Sequence, residues 1–261
     1  MIDLHAHILP GLDDGAKDVD ESLAMCLVAA RDGITEIVAT PHTGNGSYDN
    51  SPDRILAAVE DLNGRLKENG IGLLIRPGAD IYIHERLGDL VKDRKVLTVN
   101  DNMRYVMVEF PRHVVPPNYL EWMFHLTLAG VTPVLTHPER NTAVNGNTDI
   151  VRKWVEKGGL VQLTAMSISG GFGPEIRKCS EELLRYNLVH VIASDAHSAD
   201  KRPPKLSKAL RAASSIIGAE HARRLVEDYP AAIVAGKPFY PPEPIRKKLG
   251  IFSRFFVKSE F

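Results

Sequence analysis

Apolar and polar positions alternate from the start of the chain: Ile2, Leu4 and Ala6 interleave with Asp3, His5 and His7, the period-two pattern of a strand. Asp18 then offers a capping carboxylate with Glu21 three residues on. Val19, Leu23, Cys26, Leu27 and Ala30 continue as the apolar stripe of a helix that stops at Gly33. Thr35–Thr40 reads as the next strand, and Ser51-Pro52 caps and starts a helix ending near Gly70. The same rhythm predicts a strand over Leu73–Ile83 interrupted at Pro77-Gly78, a strand over Tyr105–Phe110, a helix over Tyr119–Ala129 and a strand over Thr132–Thr136. A helix over 148–158, a strand over Leu160–Thr164, a helix over Pro174–Tyr186, a strand over Val189–Ser194 and two helices within 204–229 complete the series.

A run of about seven strand–helix units demands a parallel sheet with right-handed crossovers. With no clear break in the run, the expected fold is α/β, the units closing into a barrel over residues 1–240; an open doubly wound sheet is the alternative. Pro238, Pro241, Pro242 and Pro244 then change the local composition, and a C-terminal tail over 241–261 follows.

Composition narrows the function without naming it. At 261 residues, 44% hydrophobic and 25% charged, the chain is long enough for one sizeable core, and a formal net charge of −1 gives no overall field to collect nucleic acid. Only Cys26 and Cys179 are present, no apolar run approaches membrane-spanning length, and the opening residues already read as a strand. These features predict a cytoplasmic protein without disulfides or a signal peptide.

Candidate chemistry gathers at the strand ends. His5 and His7, two apart on one strand, project from a single face and suit joint metal binding, with Asp3 on that face too. A His-x-His pair alone is a weak signal. It gains weight because Asp14, His42, Asp80, Glu109, His137, Asp195 and His197 all fall at or just after predicted strand ends, where barrel active sites are built. Singly, each has an ordinary explanation as a turn, cap or ion-pair residue; together they are metal-competent groups after nearly every early strand. His84, His113, His125, His190 and His221 lie elsewhere and are assigned to packing or the surface. Nitrogen and carboxylate donors without thiolate suit zinc, manganese or iron alike; manganese is the ion expected first, with iron or zinc as alternatives. So many donors exceed one ion's needs and predict roughly two or three ions, which together can activate water and hold the oxygens of a displacement at phosphorus. Arg140 and Arg202, each close behind a candidate ligand, are placed to bind phosphate oxygens through paired hydrogen bonds; the alternative is that both are solvated surface residues, and it weighs more for Arg140.

The strings Ile2-Asp-Leu-His5-Ala-His7-Ile-Leu-Pro10-Gly-Leu-Asp-Asp14-Gly-Ala, Ala39-Thr-Pro-His42, Glu109-Phe-Pro, Thr136-His-Pro-Glu-Arg140, Ser194-Asp-Ala-His197 and Arg202-Pro-Pro resemble, in order, the motifs of the polymerase-and-histidinol-phosphatase superfamily. They are most similar to those of its bacterial capsule-associated tyrosine phosphatases, over residues 1 to about 240. The resemblance implies hydrolysis of phosphotyrosine by a metal-held hydroxide, with a tyrosine autokinase controlling polysaccharide export as the partner. It also implies a distorted (β/α)₇ TIM-like barrel with one metal at His5, His7 and Asp195, one at Glu109 and His137, and one at Asp14, His42 and His197. Asp80 would bridge the first two, where a Glu is the commoner residue.

Rival readings are a small-molecule phosphatase of the histidinol-phosphatase kind and a noncatalytic regulator of polysaccharide export. The Cys179-x₅-Arg185 spacing also matches a thiol phosphatase, but the stretch lacks glycine, carries two carboxylates and reads as mid-helix, so that reading is rejected. In the tail, Arg246, Lys247, Lys248, Arg254 and Lys258 interleave with Leu249, Ile251 and several Phe residues. This stretch reads as a trailing or packed arm, with weak contact at the inner face of an anionic membrane as the functional alternative.

Overall fold

A computed structural model describes residues 1–245. The expected tail is therefore seen only as far as Ile245, and its basic aromatic stretch, 246–261, lies outside the described residues. Strands β1 (Ile2–Ala6), β2 (Glu36–Ala39), β3 (His42–Thr43), β4 (Leu74–Pro77), β5 (Asp80–Tyr82), β6 (Tyr105–Glu109), β7 (Thr132–Thr136), β8 (Leu160–Thr164) and β9 (Val191–Ala193) form two parallel sheets. One is ordered β1-β2-β4 and the other β3-β5-β6-β7-β8-β9. The principal connecting helices are α1 (Val19–Arg31), α2 (Pro52–Glu68), α3 (Leu87–Lys92), α4 (Tyr119–Leu128), α5 (Thr142–Gly146), α6 (Asp149–Glu156), α7 (Ala165–Ile168) and α8 (Pro174–Arg185). They are followed by α9 (Ser207–Ile217), α10 (Ala219–Arg224) and α11 (Asp228–Val234).

The local signals behave as capping chemistry dictates. Asp18 accepts from the Glu21 amide at 2.9 Å and Ser51 from the Arg54 amide at 3.4 Å, so both helix starts fall where expected. The Glu21 carboxylate, however, reaches the Lys17 amide rather than that of Asp18. The C-terminal helical stretch holds three helices where two are expected, and α3, α5 and α7 arise in segments expected to be loops.

The expected single strand over Leu73–Ile83 is two strands in different sheets. β4 pairs with β2, the chain steps across Gly78-Ala79, and β5 pairs with β3 and β6. The step between β2 and β3, over Thr40-Pro41, lies beside it. Gly78 fits because the two steps are crowded: a Cβ there would meet Val38 Cγ1 at 2.8 Å. On the other side, Ala6 bridges to Ala196 in parallel fashion, the His7 amide donates to the Ala196 carbonyl and the Asp195 amide to that of His5.

One core cluster packs helices against strands. A smaller one collects Leu4, Val38, Met107, Val134, Val191 and Ala193 against Ile233 and Val234 of α11. With a period of two, Glu109 continues the face of Met107, Thr136 that of Val134 and Asp195 that of Ala193. The apolar layer therefore gives way, one step toward the strand C-termini, to polar side chains. On β1 the pairing with β2 slips between Asp3 and Ala6, and Leu4 lies in the apolar layer while the adjacent His5 joins the polar end.

Candidate metal and phosphate site

The predicted side chains converge. His5, His7, Asp14, His42, Asp80, Glu109, His137, Asp195 and His197 supply ligand-type atoms in four overlapping groups: His7/Asp14/His42/His197, His5/His7/Asp80, His5/His137/Asp195 and His42/Asp80/Glu109. They come from β1, β3, β5 and β6, from the loop after β1, and from the turns after β7 and β9. His42 and Asp80 do not trail strands but open the short second segments, where the register places them directly opposite each other. The groups share members, His5, His7, His42 and Asp80 each belonging to two. His84, His113, His125, His190 and His221 belong to none of them among the described residues.

Spacing and satisfaction point to ions rather than to a self-contained hydrogen-bond network. Asp80 Oδ2 lies 3.8 Å from His5 Nε2, 3.7 Å from His42 Nδ1 and 3.7 Å from His137 Nε2, and this buried atom has no hydrogen bond. Two donors each about 2.1 Å from a tetrahedral ion stand about 3.4 Å apart, so these separations are long for hydrogen bonds and natural for ligands of a shared cation. His5 Nε2 and His7 Nε2 face each other at 3.1 Å, two acceptor-type atoms that also suit a cation between them. Burial lowers the His5 imidazole to about 4 and the His7 imidazole well below its usual value, favouring the neutral, ligating form. Burial lowers His42 too, but the Glu109 carboxylate 3.2 Å from its Nδ1 and the nearby Asp80 outweigh that and raise it to about 9. The close contact with His197 holds Asp14 down to about 2.

Two residues do work that the sequence did not announce. Asp13, next to the predicted Asp14, accepts from His7 Nδ1 at 2.6 Å and from the amides of His42 and Gly15, both at 2.9 Å. It fixes the His7 ring so that Nε2 faces the cluster, as a carboxylate behind a metal-binding histidine does. Gly15 is required by the same fold-back, since a Cβ there would lie 2.1 Å from the His7 carbonyl oxygen. Asp3, expected on the ring face, instead turns its carboxylate to Ser194, accepting from its amide at 2.8 Å and its hydroxyl at 2.5 Å, and belongs to no ligand group. Burial raises its carboxyl to about 6.

Arg140 and Arg202 meet at Asp195. Arg140 Nη1 donates to Asp195 Oδ2, and Arg202 Nη2 reaches the same oxygen at 2.8 Å and the Asp195 carbonyl at 2.9 Å. Burial pushes the Asp195 carboxyl up, but Arg140, His137 and Arg202 overcome it and hold the group well below the carboxylate range. Asp195 (φ 52°) and His137 (φ 35°) both adopt left-handed backbone, a conformation costing on the order of 1–3 kcal/mol for residues other than glycine and concentrated at functional sites. A cleft of about 350 Å³ opens over this end of the cluster, lined among others by Tyr82, Phe110, Phe172 and the two arginines. Cys179, by contrast, is buried within α8.

Comparison with known proteins agrees in kind. The model of a family described as capsular polysaccharide synthesis, CpsB/CapC, matches residues 1–235. The tyrosine-protein phosphatase YwqE of Bacillus subtilis is 39% identical over 256 residues, covering 97% of this chain and all of that one. The tyrosine-protein phosphatase CpsB of Streptococcus pneumoniae is 31% identical over 239 residues, 90% of this chain and 98% of that one. A crystal structure from work on YwqE and CpsB, described as unique metal-dependent tyrosine phosphatases, superposes with a TM-score of 0.91 at 36% identity, covering 95% of this chain and all of that one. Histidinol phosphate phosphatase from Lactococcus lactis, solved with zinc, histidinol and phosphate, shares the fold at a TM-score of 0.50 and 16% identity, over 85% of this chain and 93% of that one.

Proposed function

Because the chain belongs to the CpsB/CapC family of capsular polysaccharide synthesis, we propose that it is a metal-dependent phosphatase acting on phosphotyrosine in a protein, foremost a tyrosine autokinase that governs capsule or exopolysaccharide production. The observation that carries this reading is the meeting of two guanidinium groups with a buried His/Asp/Glu cluster at Asp195. His5, His7, Asp14, His42, Asp80, Glu109, His137, Asp195 and His197 would hold roughly two or three divalent ions, manganese first and iron or zinc as alternatives; nitrogen and oxygen donors without sulfur suit all three. Such ions, when bound, supply Lewis acidity and a water made nucleophilic at neutral pH.

The protein's own groups bind and orient the substrate. Arg140 and Arg202 present paired donors to the phosphoryl oxygens, and Asp195 between them keeps both side chains directed into the cleft. A tyrosine leaving group, with a pKa of about 10, departs with less protonation than an alkyl alcohol needs, which fits a cleft where no general acid stands out.

In the wider molecule we read the two sheets as one distorted (β/α)₇ barrel, with β2/β3 and β4/β5 as interrupted strands and the Ala6–Ala196 bridge closing the ring. We divide the chain into this unit, 1–240, and an arm, 241–261. None of the described helices is long and apolar enough to cross a membrane. The site of action is proposed as the cytoplasm, with weak contact of the basic aromatic stretch at the inner membrane face as the functional alternative for the arm. Truncation after Ile245 should spare turnover of an aryl phosphate and abolish sedimentation with anionic vesicles; full-length protein that ignores the vesicles refutes the membrane contact.

The decisive experiment measures turnover of phosphotyrosine peptides and histidinol phosphate by metal-loaded protein. The peptides should be preferred, and a strong chelator, His5→Ala or Asp195→Ala should remove nearly all activity. Arg202→Ala should lose about 10²–10³-fold, and Cys179→Ser should stay close to wild type. Preference for histidinol phosphate replaces this reading with the small-molecule one, and chelator-resistant turnover lost in a folded Cys179→Ser variant overturns the metal mechanism.

A further inference from the structure

Phe172 sits at the tip of the loop between α7 and α8, and its neighbours in sequence are glycines: Gly170 and Gly173 take φ of 86° and 96°, and Gly171 lies between. Its phenyl ring is therefore the one large side chain that this Gly-Gly-Phe-Gly turn carries. The ring is half-buried and faces both guanidinium groups at once, with Arg140 Cζ 4.9 Å and Arg202 Cζ 5.9 Å from its centroid. Tyr82, Phe110 and Ile176 line the same cleft.

We propose that Phe172 is a specificity-determining residue, the flat wall against which the aromatic ring of the substrate packs and by which the site prefers aryl over alkyl phosphates. This rests on the phosphatase reading above and adds to it the group that recognises the leaving side. In an aryl phosphate only one oxygen separates the ring from phosphorus. If Arg140 and Arg202 hold the phosphoryl oxygens, a side chain touching both of them stands at the depth where that ring must pass. Phe172 meets this condition, and Tyr82 and Phe110 extend the apolar lining beside it. Aromatic pairs gain from offset or edge-to-face packing beyond the area they bury, and an alkyl chain lacks that gain. The same ring also lies within cation–π reach of both guanidinium groups, so a purely supporting role for the arginines is the alternative that a test must separate.

The two roles differ in what they do to a ligand without a ring. Titration calorimetry on the full-length, metal-loaded protein should compare benzylphosphonate, in which a methylene replaces the ester oxygen, with propylphosphonate. Wild type is expected to bind the benzyl ligand about 10-fold more tightly, the range open to an aromatic contact. Phe172→Leu, which keeps apolar bulk, should reduce that ratio to about 2-fold while binding propylphosphonate within about 2-fold of wild type. Phe172→Trp should keep the preference, and circular dichroism should show both variants folded. Equal weakening of both ligands by Phe172→Leu, or an unchanged ratio, overturns the inference. A Phe172-dependent benzyl preference in a protein that does not hydrolyse phosphotyrosine would support the aryl site and overturn the functional reading instead.

Discussion

The Asp13 carboxylate holds three donors at once, the His7 ring and the amides of His42 and Gly15, so it ties the first loop to β3 as well as orienting a candidate ligand. Asp13→Asn keeps the size but turns an NH₂ toward one of those donors. A supporting carboxylate of this kind commonly changes metal affinity 10–100-fold, so the variant should bind manganese weaker by about that factor in a chelator-competition titration; unchanged affinity would remove Asp13 from the site. A second residue-scale consequence lies outside the cluster. His190 is buried, its Nδ1 accepts from the Val161 amide at 3.1 Å, and burial, with His221 nearby, pushes its pKa down to about 3. The unfolded chain binds that proton near pH 6.5 and the native chain only near 3, so the unfolded state holds more protons between these values and stability falls as pH drops through that window. Between pH 7 and 5 the loss amounts to about 2 kcal/mol. His190→Asn can retain the acceptor without the titration, and urea melts at the two pH values should show a smaller difference by about that amount. Equal pH dependence in both proteins would mean that His190 does not contribute it.

At the scale of elements, the capped helices α1 and α2 were legible because a cap is a local bargain between one side chain and one amide, complete within four residues. The short helices α3, α5 and α7, of four to six residues, cannot display a 3.6-residue period and so carry no such signal. The Pro77-Gly78 interruption was visible as a break, yet which sheet each half joins depends on partners far away in sequence. Gly78 now tests that arrangement. In Gly78→Ala the added methyl would lie 2.8 Å from Val38 Cγ1 and 3.3 Å from the Ala39 carbonyl oxygen, forcing apart the two strand steps that position His42 and Asp80. Overpacking of this kind costs about 1–3 kcal/mol, so the urea midpoint should fall by a corresponding amount and metal content with it. A variant as stable as wild type would show that the steps have room to move.

For the whole molecule, the candidate ligands run from residue 5 to residue 197, so ions held among them bind the native fold and not the unfolded chain. At a free concentration 100 times its dissociation constant, one such ion stabilises the fold by about 2.7 kcal/mol, or roughly 5–10 °C in a chain of this size. Chelation should lower the melting temperature by that order, and added manganese should restore it in a concentration-dependent way; identical melting with and without chelator would remove metal from the stability of the fold. By itself, the sequence determined the alternation of strands and helices, the helix caps and the recurrence of His, Asp and Glu at strand ends, because periodicity and capping are properties of neighbouring residues. Tertiary structure alone decided that His42 and Asp80 face each other across a register, that both arginines share Asp195, that Asp13 stands behind His7 while Asp3 turns to Ser194, and that Phe172 enters the cleft. Each of these joins groups whose separation depends on strand register, on the bending back of a loop or on the closeness of the two sheets, and a linear pattern does not encode those distances.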